Sequence, residues 1–423
     1  MGLKEVEQLV YRTVQGDNLS KKKKKEITYS RSPRMVKASY DSADTYAQNQ
    51  NRWAYANKST PNHANNLSVR TVLRDRARYE FDNNSYAFGL IDTIAKDTIG
   101  TGPRMQLTHD DSENAKKLEK DWGSWIKEIG YAKKLLLMRV MKARDGEAFV
   151  LKVNKESLRN PVKLFLQVIE CDRVSSHYNM KTDIDGVWLD KFGEAKAYNL
   201  LEDNPSDSNT GFIGKGRKVN AEDMIMYAHT SRAGQVRGVP EITPALQLFV
   251  QLRSFTLSVL TSAETASNMS AIMHTDATAE ESDEFPEDFA EVDLKRNTMM
   301  NLPFGWKVTQ LKPEQPITNY GDFKDSILNE IARCLHIPFN VASGNSSDYN
   351  YASGRLDIVN YQKVIEVERD YINNLINTPI FNEYAREWMQ VNGIPEGSMD
   401  LRHTFMYDGR DQVDPLKHAK AQT

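Results

Sequence analysis

The segment closest to a known chemical motif is Gly211-Phe212-Ile213-Gly214-Lys215-Gly216-Arg217-Lys218, which approaches the G-x-x-x-x-G-K-[ST] loop that cradles nucleotide phosphates. Two positions defeat it. Arg217 stands where a lysine must reach the phosphates, and Lys218 stands where a hydroxyl must bind Mg²⁺. No apolar strand leads into it either. Ser124-Trp125-Ile126-Lys127 matches Ser-x-x-Lys, but its partner motifs are absent and Lys127 reads as a helix-surface residue. Asp145-Gly146-Glu147 and Glu170-Cys171-Asp172 place carboxylates close together. Both sit at junctions between elements, where Asp and Gly are favoured anyway, so they read as structural. The eight histidines form no His-x-x-x-His pair, and Cys171 and Cys334 are 163 positions apart, so no zinc site is expected. Cys334 reads as a small core residue. No cofactor, metal or catalytic set is expected, and the residues do not support an enzyme.

The elements that would carry such residues are mostly helical. Helices are expected over 67–79, 86–99, 112–128 and 135–143, with Gly100-Thr101-Gly102-Pro103 as a stop and Ser112 as a start. Strand patterns follow over 147–153, 164–169, 197–201 and 224–228, with a hairpin around 186–193. Residues 204–216 read as a loop. The next pattern is a helix over 241–268, about 42 Å long at 1.5 Å per residue. Leu246, Phe249, Val250, Leu252, Phe255, Leu257, Val259 and Leu260 nearly encircle it, so it must be covered either by a large core or by other subunits. A short β unit near 304–311 and a helix over 322–336 come next, with Pro338 closing the helix. A polar loop with two tyrosines leads to a helix over 355–377, which Pro379 interrupts, and to another over 380–391. A further helix is expected at the end of the chain. The fold class is α+β, mainly helical.

At 423 residues the chain is long enough for two or three domains. Its formal charge of −3 hides an asymmetry: residues 1–78 carry net +9, which leaves −12 for the rest. Lys21–Lys25 lie in the basic part, which reads as an extended arm that is either simply solvated or binds phosphate or a partner. The acidic extreme is 276–296, where nine carboxylates face only Lys295 and Arg296. It lacks the Asp-x-Asp-x-Asp-Gly pattern of a calcium loop and reads as a surface. No apolar run is long enough to cross a membrane, and two cysteines exclude a disulfide framework.

The order of several short motifs resembles the lambda-type phage portal proteins. Arg70–Arg78 precedes Asn83-Asn84, and Ile99-Gly100-Thr101-Gly102 follows. Next come Trp122-Gly123-Ser124-Trp125, Asp145-Gly146-Glu147 and Val168-Ile169-Glu170-Cys171-Asp172-Arg173. The most specific piece is Arg232-Ala233-Gly234-Gln235-Val236-Arg237-Gly238-Val239-Pro240. Ile331-Ala332-Arg333, Ile337-Pro338, residues 348–355 and Val413-Asp414-Pro415-Leu416-Lys417 complete the series. The resemblance covers residues 40–423. It departs from the family at Asp82, where an arginine is more usual, and after Lys417, where members usually continue.

The resemblance implies a ring, commonly of twelve subunits, at one capsid vertex, through which double-stranded DNA enters and later leaves. It implies a portal fold: an N-terminal arm over 1–66, a wing over 67–238, a stem helix over 239–269, a clip over 270–320, a second stem helix over 321–337, a tunnel loop over 338–354, and bridging and C-terminal helices over 355–423. Asn345, Ser346, Ser347, Tyr349, Asn350 and Tyr351 would lie nearest the DNA, and Lys324 and Arg333 would line the channel. Glu280, Glu281, Asp283, Glu284, Glu287 and Asp288 would present the clip to partners. Implied partners are the terminase large subunit, the head–tail adaptor, and the major capsid and scaffold proteins; no membrane is implied. The implied location is the virion, with host cytoplasm during assembly. A DNA-processing enzyme of the packaging machinery, or another capsid or adaptor protein, is the alternative.

Overall fold

The computed structural model describes residues 56, 59–108, 112–176, 182–205, 216–267, 271–275, 306–310, 320–347 and 350–409. The chain divides into two units, Met1–Ser59 and Thr60–Thr423, and every element below lies in the second.

Polar caps set the first helices. Asn66 accepts from the Val69 amide to start α1 (Leu67–Asn83), and Asn84 accepts from Tyr86 and Ala87 to start α2 (Ser85–Ile99). Gly100, at φ 57°, ends α2 as expected. Strand β1 (Arg104–Leu107) follows. Ser112 then caps α3 (Glu113–Glu128) through the Ala115 amide, and α4 (Tyr131–Asp145) runs between left-handed Gly130 and Gly146.

Strands β2 (Glu147–Asn154) and β3 (Leu164–Ile169) open a three-stranded antiparallel sheet. Strands β4 (Val187–Leu189), β5 (Ala195–Leu201) and β6 (Gly216–Asn220) form a second such sheet. Strand β7 (Met224–Ala228) returns to pair with β2, Glu147 opposite Ala228, so the first sheet has the order β3-β2-β7.

The long helix is shorter than its apolar pattern. α5 spans Leu246–Ser267, after a 3₁₀ turn over Thr243–Ala245. Pro244 disfavours helical geometry at Thr243, and the Thr243 hydroxyl donates to the Pro240 carbonyl at 2.7 Å. Strand β8 (Ala271–Thr275) pairs with β9 (Trp306–Gln310), so the expected β unit has a partner that sequence reading missed.

α6 (Tyr320–Arg333) ends on His336 in the left-handed region. Ile337 donates back to Ala332 and His336 to Arg333, both at 3.2 Å, before Pro338. The expected loop over 338–354 is largely helical at its ends. α7 (Phe339–Ser343) occupies the first part, and α8 (Tyr351–Ile372) begins four residues before the expected start. Pro379 does not break the chain's last long helix. A π-helical turn over Asn373–Asn377 precedes α9 (Thr378–Val391) and widens the backbone where the proline ring would otherwise strike a carbonyl. Strand β10 (His403–Met406) pairs antiparallel with β1.

Three apolar cores result. An aromatic core joins α3, α4 and α9 to the first sheet around Trp122, Trp125, Tyr131, Phe381, Tyr384 and Trp388. A helical core joins α2, α5, α6 and α8 around Ile91, Phe249, Ile331 and Ile365. The third fills the space between the two three-stranded sheets. The chain is mostly helical with small antiparallel sheets. Among the described residues no helix is long and apolar enough to cross a membrane.

Candidate functional site

Arginines 70, 74 and 78 recur every fourth residue, which places them on one face of α1. That face is buried against carboxylates from four other segments. Arg74 Nη1 meets Asp172 Oδ1 at 3.0 Å, and its Nη2 bonds Glu147. Arg78 spans Asp145 at 2.8 Å, Glu170 at 3.1 Å and Asp172 at 2.7 Å. Arg70 bonds Asp185 and donates to the Asn65 carbonyl at 2.8 Å. Arg237 enters from the opposite side: its Nε donates to both Glu147 oxygens at 3.0 and 3.1 Å, and Gly238 N donates to the same carboxylate at 2.9 Å.

The cluster is nearly dry, with Arg70, Arg74, Asp145, Glu147 and Arg237 all buried. Burial alone would raise the Glu147 pKa, but Arg237 and Arg74 outweigh it and hold the value at about 2. Burial and the neighbouring Arg237 lower Arg70 to about 9. Burial pushes the Cys171 thiol well above its ordinary range. Every carboxylate of the two pairs noted in the sequence thus has a fixed cationic partner, which leaves none free as an acid or base. Sequence reading missed that role; the four-residue arginine spacing was the signal.

A second ionic group ties α8 to this region. Arg139 meets Glu241 at 2.9 Å, Lys142 meets Glu368 at 2.6 Å, and the Tyr227 hydroxyl donates to Glu368.

The α5–α6 pair carries the expected channel residues. Phe255 stacks on Tyr320 at 5.7 Å and packs on Phe323 at 4.6 Å. Lys324 Nζ lies 5.3 Å from the Tyr86 ring, and a hydrogen bond with Tyr86 raises its pKa. Arg333 is exposed, lies in the walls of two clefts, and pairs with no carboxylate among the described residues.

The residues expected near DNA have diverse places. Asn345 closes a turn, its Oδ1 accepting from Ser347 N at 3.0 Å and Ser347 Oγ at 2.6 Å. Ser346 is exposed. Asn350 is the cap of α8, accepting from Ser353 N at 2.9 Å, and Tyr351 is the first residue of that helix. Tyr349 lies outside the described residues, as do Glu280, Glu281, Asp283, Glu284, Glu287 and Asp288. Lys324 and Arg333 share α6, whereas the loop residues form their own turn and cap.

The family model described as "Phage portal protein, lambda family" matches residues 48–369. The chain belongs to the lambda family of phage portal proteins. The match spans both ionic groups, α5, α6, α7 and most of α8 in this portal protein. Among solved structures, the portal chain is similar to the neck of an empty GTA particle computed with C6 symmetry. That likeness has 15% identity, covers 82% of this chain and 86% of the other, and has a TM-score of 0.49. The virion of a native gene transfer agent particle gives 13% identity, 84% and 87% coverage, and a TM-score of 0.48. An HK97-family phage portal protein from Corynebacterium diphtheriae gives 10%, 64% and 80%, and 0.31. No curated protein sequence matched.

Proposed function

We propose that copies of this portal protein assemble into a ring at one capsid vertex, with the α5–α6 pair as the stem around a channel for double-stranded DNA. The observation that carries the reading is the apolar surface this pair leaves in water. Leu257 is 57% exposed and Leu260 54%, and Val250 and Phe323 are also exposed. Surface of that kind is stable when a neighbouring copy covers it.

In this reading residues 67–238 are the wing, 239–269 and 321–337 the stem, 270–320 the clip, 338–354 the tunnel loop, and 355–423 the bridge and C-terminal part. Arg333 supplies the freer positive charge along the channel, since Lys324 is engaged by Tyr86. Asn345, Ser346, Ser347 and Asn350, with Tyr349 and Tyr351, edge the passage without fixed charge, which limits the salt-dependent grip on phosphate. The acidic clip residues dock a basic surface of the terminase large subunit and later of the head–tail adaptor. The wing meets the capsid and scaffold proteins, and the ring resides in the virion after assembly in the host cytoplasm. The role is mechanical, and the full cationic pairing of the buried carboxylates supports a non-catalytic chain.

Negative-stain images of the purified protein test this. Rings with a central opening are expected, and Leu257→Glu with Leu260→Glu should convert them to monomers. A monomeric wild-type protein with Mg²⁺-dependent ATP turnover would overturn the reading in favour of a DNA-processing enzyme.

A further inference from the structure

The outer edge of β1 is open at one residue. Thr108 N donates to the Arg402 carbonyl at 2.9 Å, so in the register that sets Leu107 opposite His403 the bonded positions are 104, 106 and 108. The N–H and C=O of Met105 and Leu107 therefore point away from β10. Leu107 shows the direction: its N–H donates to Glu119 Oε1 on α3 at 2.7 Å. Met105 faces the same side, and its N–H and C=O have no partner among the described residues. A strand edge with a free donor and a free acceptor is a template for another extended chain.

That edge borders a cleft of about 740 Å³ between β1 and the α3–α4 junction, within the ~300–1,000 Å³ of ordinary ligand sites. Met105 and Glu119 both line it, and Trp122, Ile126 and Tyr131 give it an apolar wall, of which Ile126 is the most open. Gly123 leaves room on the α3 side, since a Cβ there would meet nothing within 4 Å.

The cleft also carries unbalanced charge. Lys127 and Lys133 stand exposed in its lining, and neither pairs with a carboxylate among the described residues. The neighbouring carboxylates are taken. Glu119 holds Leu107 N, and Glu128 accepts from the amides of Arg159 at 2.6 Å and Asn160 at 3.1 Å. Arg104, also in the lining, is neutralised by Asp408. A backbone pairing position, an apolar wall and two uncompensated cations thus meet in one groove.

We infer that this groove takes an extended segment of a partner protein in which acidic and apolar residues alternate. One residue of the segment exchanges both backbone hydrogen bonds with Met105, as in an antiparallel pair. Its apolar side chains pack on the wall at Ile126, and its carboxylates face Lys127 and Lys133. The backbone bonds and the wall supply affinity, and the lysines decide which sign of charge is admitted.

The test titrates a fluorescein-labelled peptide, Val-Asp-Val-Glu-Val-Asp-Val, into the full chain and follows its anisotropy, with hydrogen–deuterium exchange of residues 100–108 read by mass spectrometry. Binding is expected, with slower exchange of the Met105 amide at saturation. N-methylation of alternate peptide amides should abolish binding for one of the two sets and spare it for the other, because only one edge of the peptide meets β1. Gly123→Leu, which fills the groove, should weaken binding at least tenfold, as should Lys127→Glu with Lys133→Glu. A probe with lysine at the acidic positions should bind the charge-reversed protein and not the wild type. No binding at about 1 mM peptide overturns the inference, as does binding that leaves exchange in 100–108 unchanged, that tolerates both methylated sets, or that ignores the sign of the probe's charge. A Met105 amide already protected before peptide is added assigns the edge to a neighbouring copy and overturns it as well.

Discussion

The Arg237 guanidinium grips the Glu147 carboxylate through Nε and Nη2, while Arg74 bonds the same carboxylate from helix α1. One anion therefore joins the start of β2 to the segment that leads into α5. Both arginines and the glutamate are out of water, so each is stable only while the others are present.

Removing the anion is expected to be costly. Glu147→Gln keeps the shape but leaves Arg74 and Arg237 short of a counterion, and should destabilise the fold by about 3–5 kcal/mol in chemical denaturation. Arg78 is 24% exposed, and Arg78→Lys should cost about 1 kcal/mol, near the range of surface pairs. Equal losses for the two variants would contradict the assignment.

The same carboxylate sets an acid limit. Its folded pKa, about 2, lies below its ordinary value of 4.5. A group depressed in this way contributes stability that is complete above its unfolded pKa and is lost as pH falls through the folded one. Denaturation midpoints should be flat with respect to this group above about pH 5 and fall between about pH 4.5 and 2, and Glu147→Gln should flatten that fall.

Gly238 tests the geometry without charge. A Cβ there would come within 2.0 Å of the Gly146 carbonyl oxygen, and Gly146 sits at φ +89°, so neither backbone can move aside cheaply. Gly238→Ala should lower the unfolding temperature by several degrees, whereas Gly123→Ala, with nothing within 4 Å, should not. Calorimetry on the two variants decides it.

Cys171 should be chemically silent in the native protein. It is fully buried, and burial lifts its thiol well above the ordinary range. Iodoacetamide at pH 8 should label it only after unfolding, as read by mass spectrometry. Labelling at the rate of a free thiol would show that the ionic cluster opens to solvent.

Much of the scaffold was legible in the sequence. Local signals sufficed where a single residue type or a short apolar run decides the backbone: Ser112 as a cap, Gly100 as a stop, and the strands β2 and β3. The errors came where a second segment decides. β8 has no meaning without β9, and α5 begins late because Pro244 interrupts an otherwise unbroken apolar pattern. Pro379 looked like a break because the π turn that absorbs it has no sequence signature. The ionic cluster was hidden for a related reason. Its carboxylates were visible as pairs and its arginines as a motif, but their meeting depends on contacts 67 to 98 residues apart. The loop yielded mixed results: Asn350 was visible as a polar residue, and its capping bond to Ser353 shows why that polarity is needed locally.

The spacing between Glu147 and Arg237 also dictates an order of events during synthesis. The ribosome makes α1, with its arginines, before any of their anions, and makes Glu147 ninety residues before Arg237. At bacterial elongation rates that interval is on the order of ten seconds. Through it, of the two arginines that bond Glu147, the growing chain contains only Arg74. The α5 segment, with its sticky apolar stripe, follows directly after that residue. The Glu147–Arg237 pair can therefore form just before the exposed apolar residues of α5 are made.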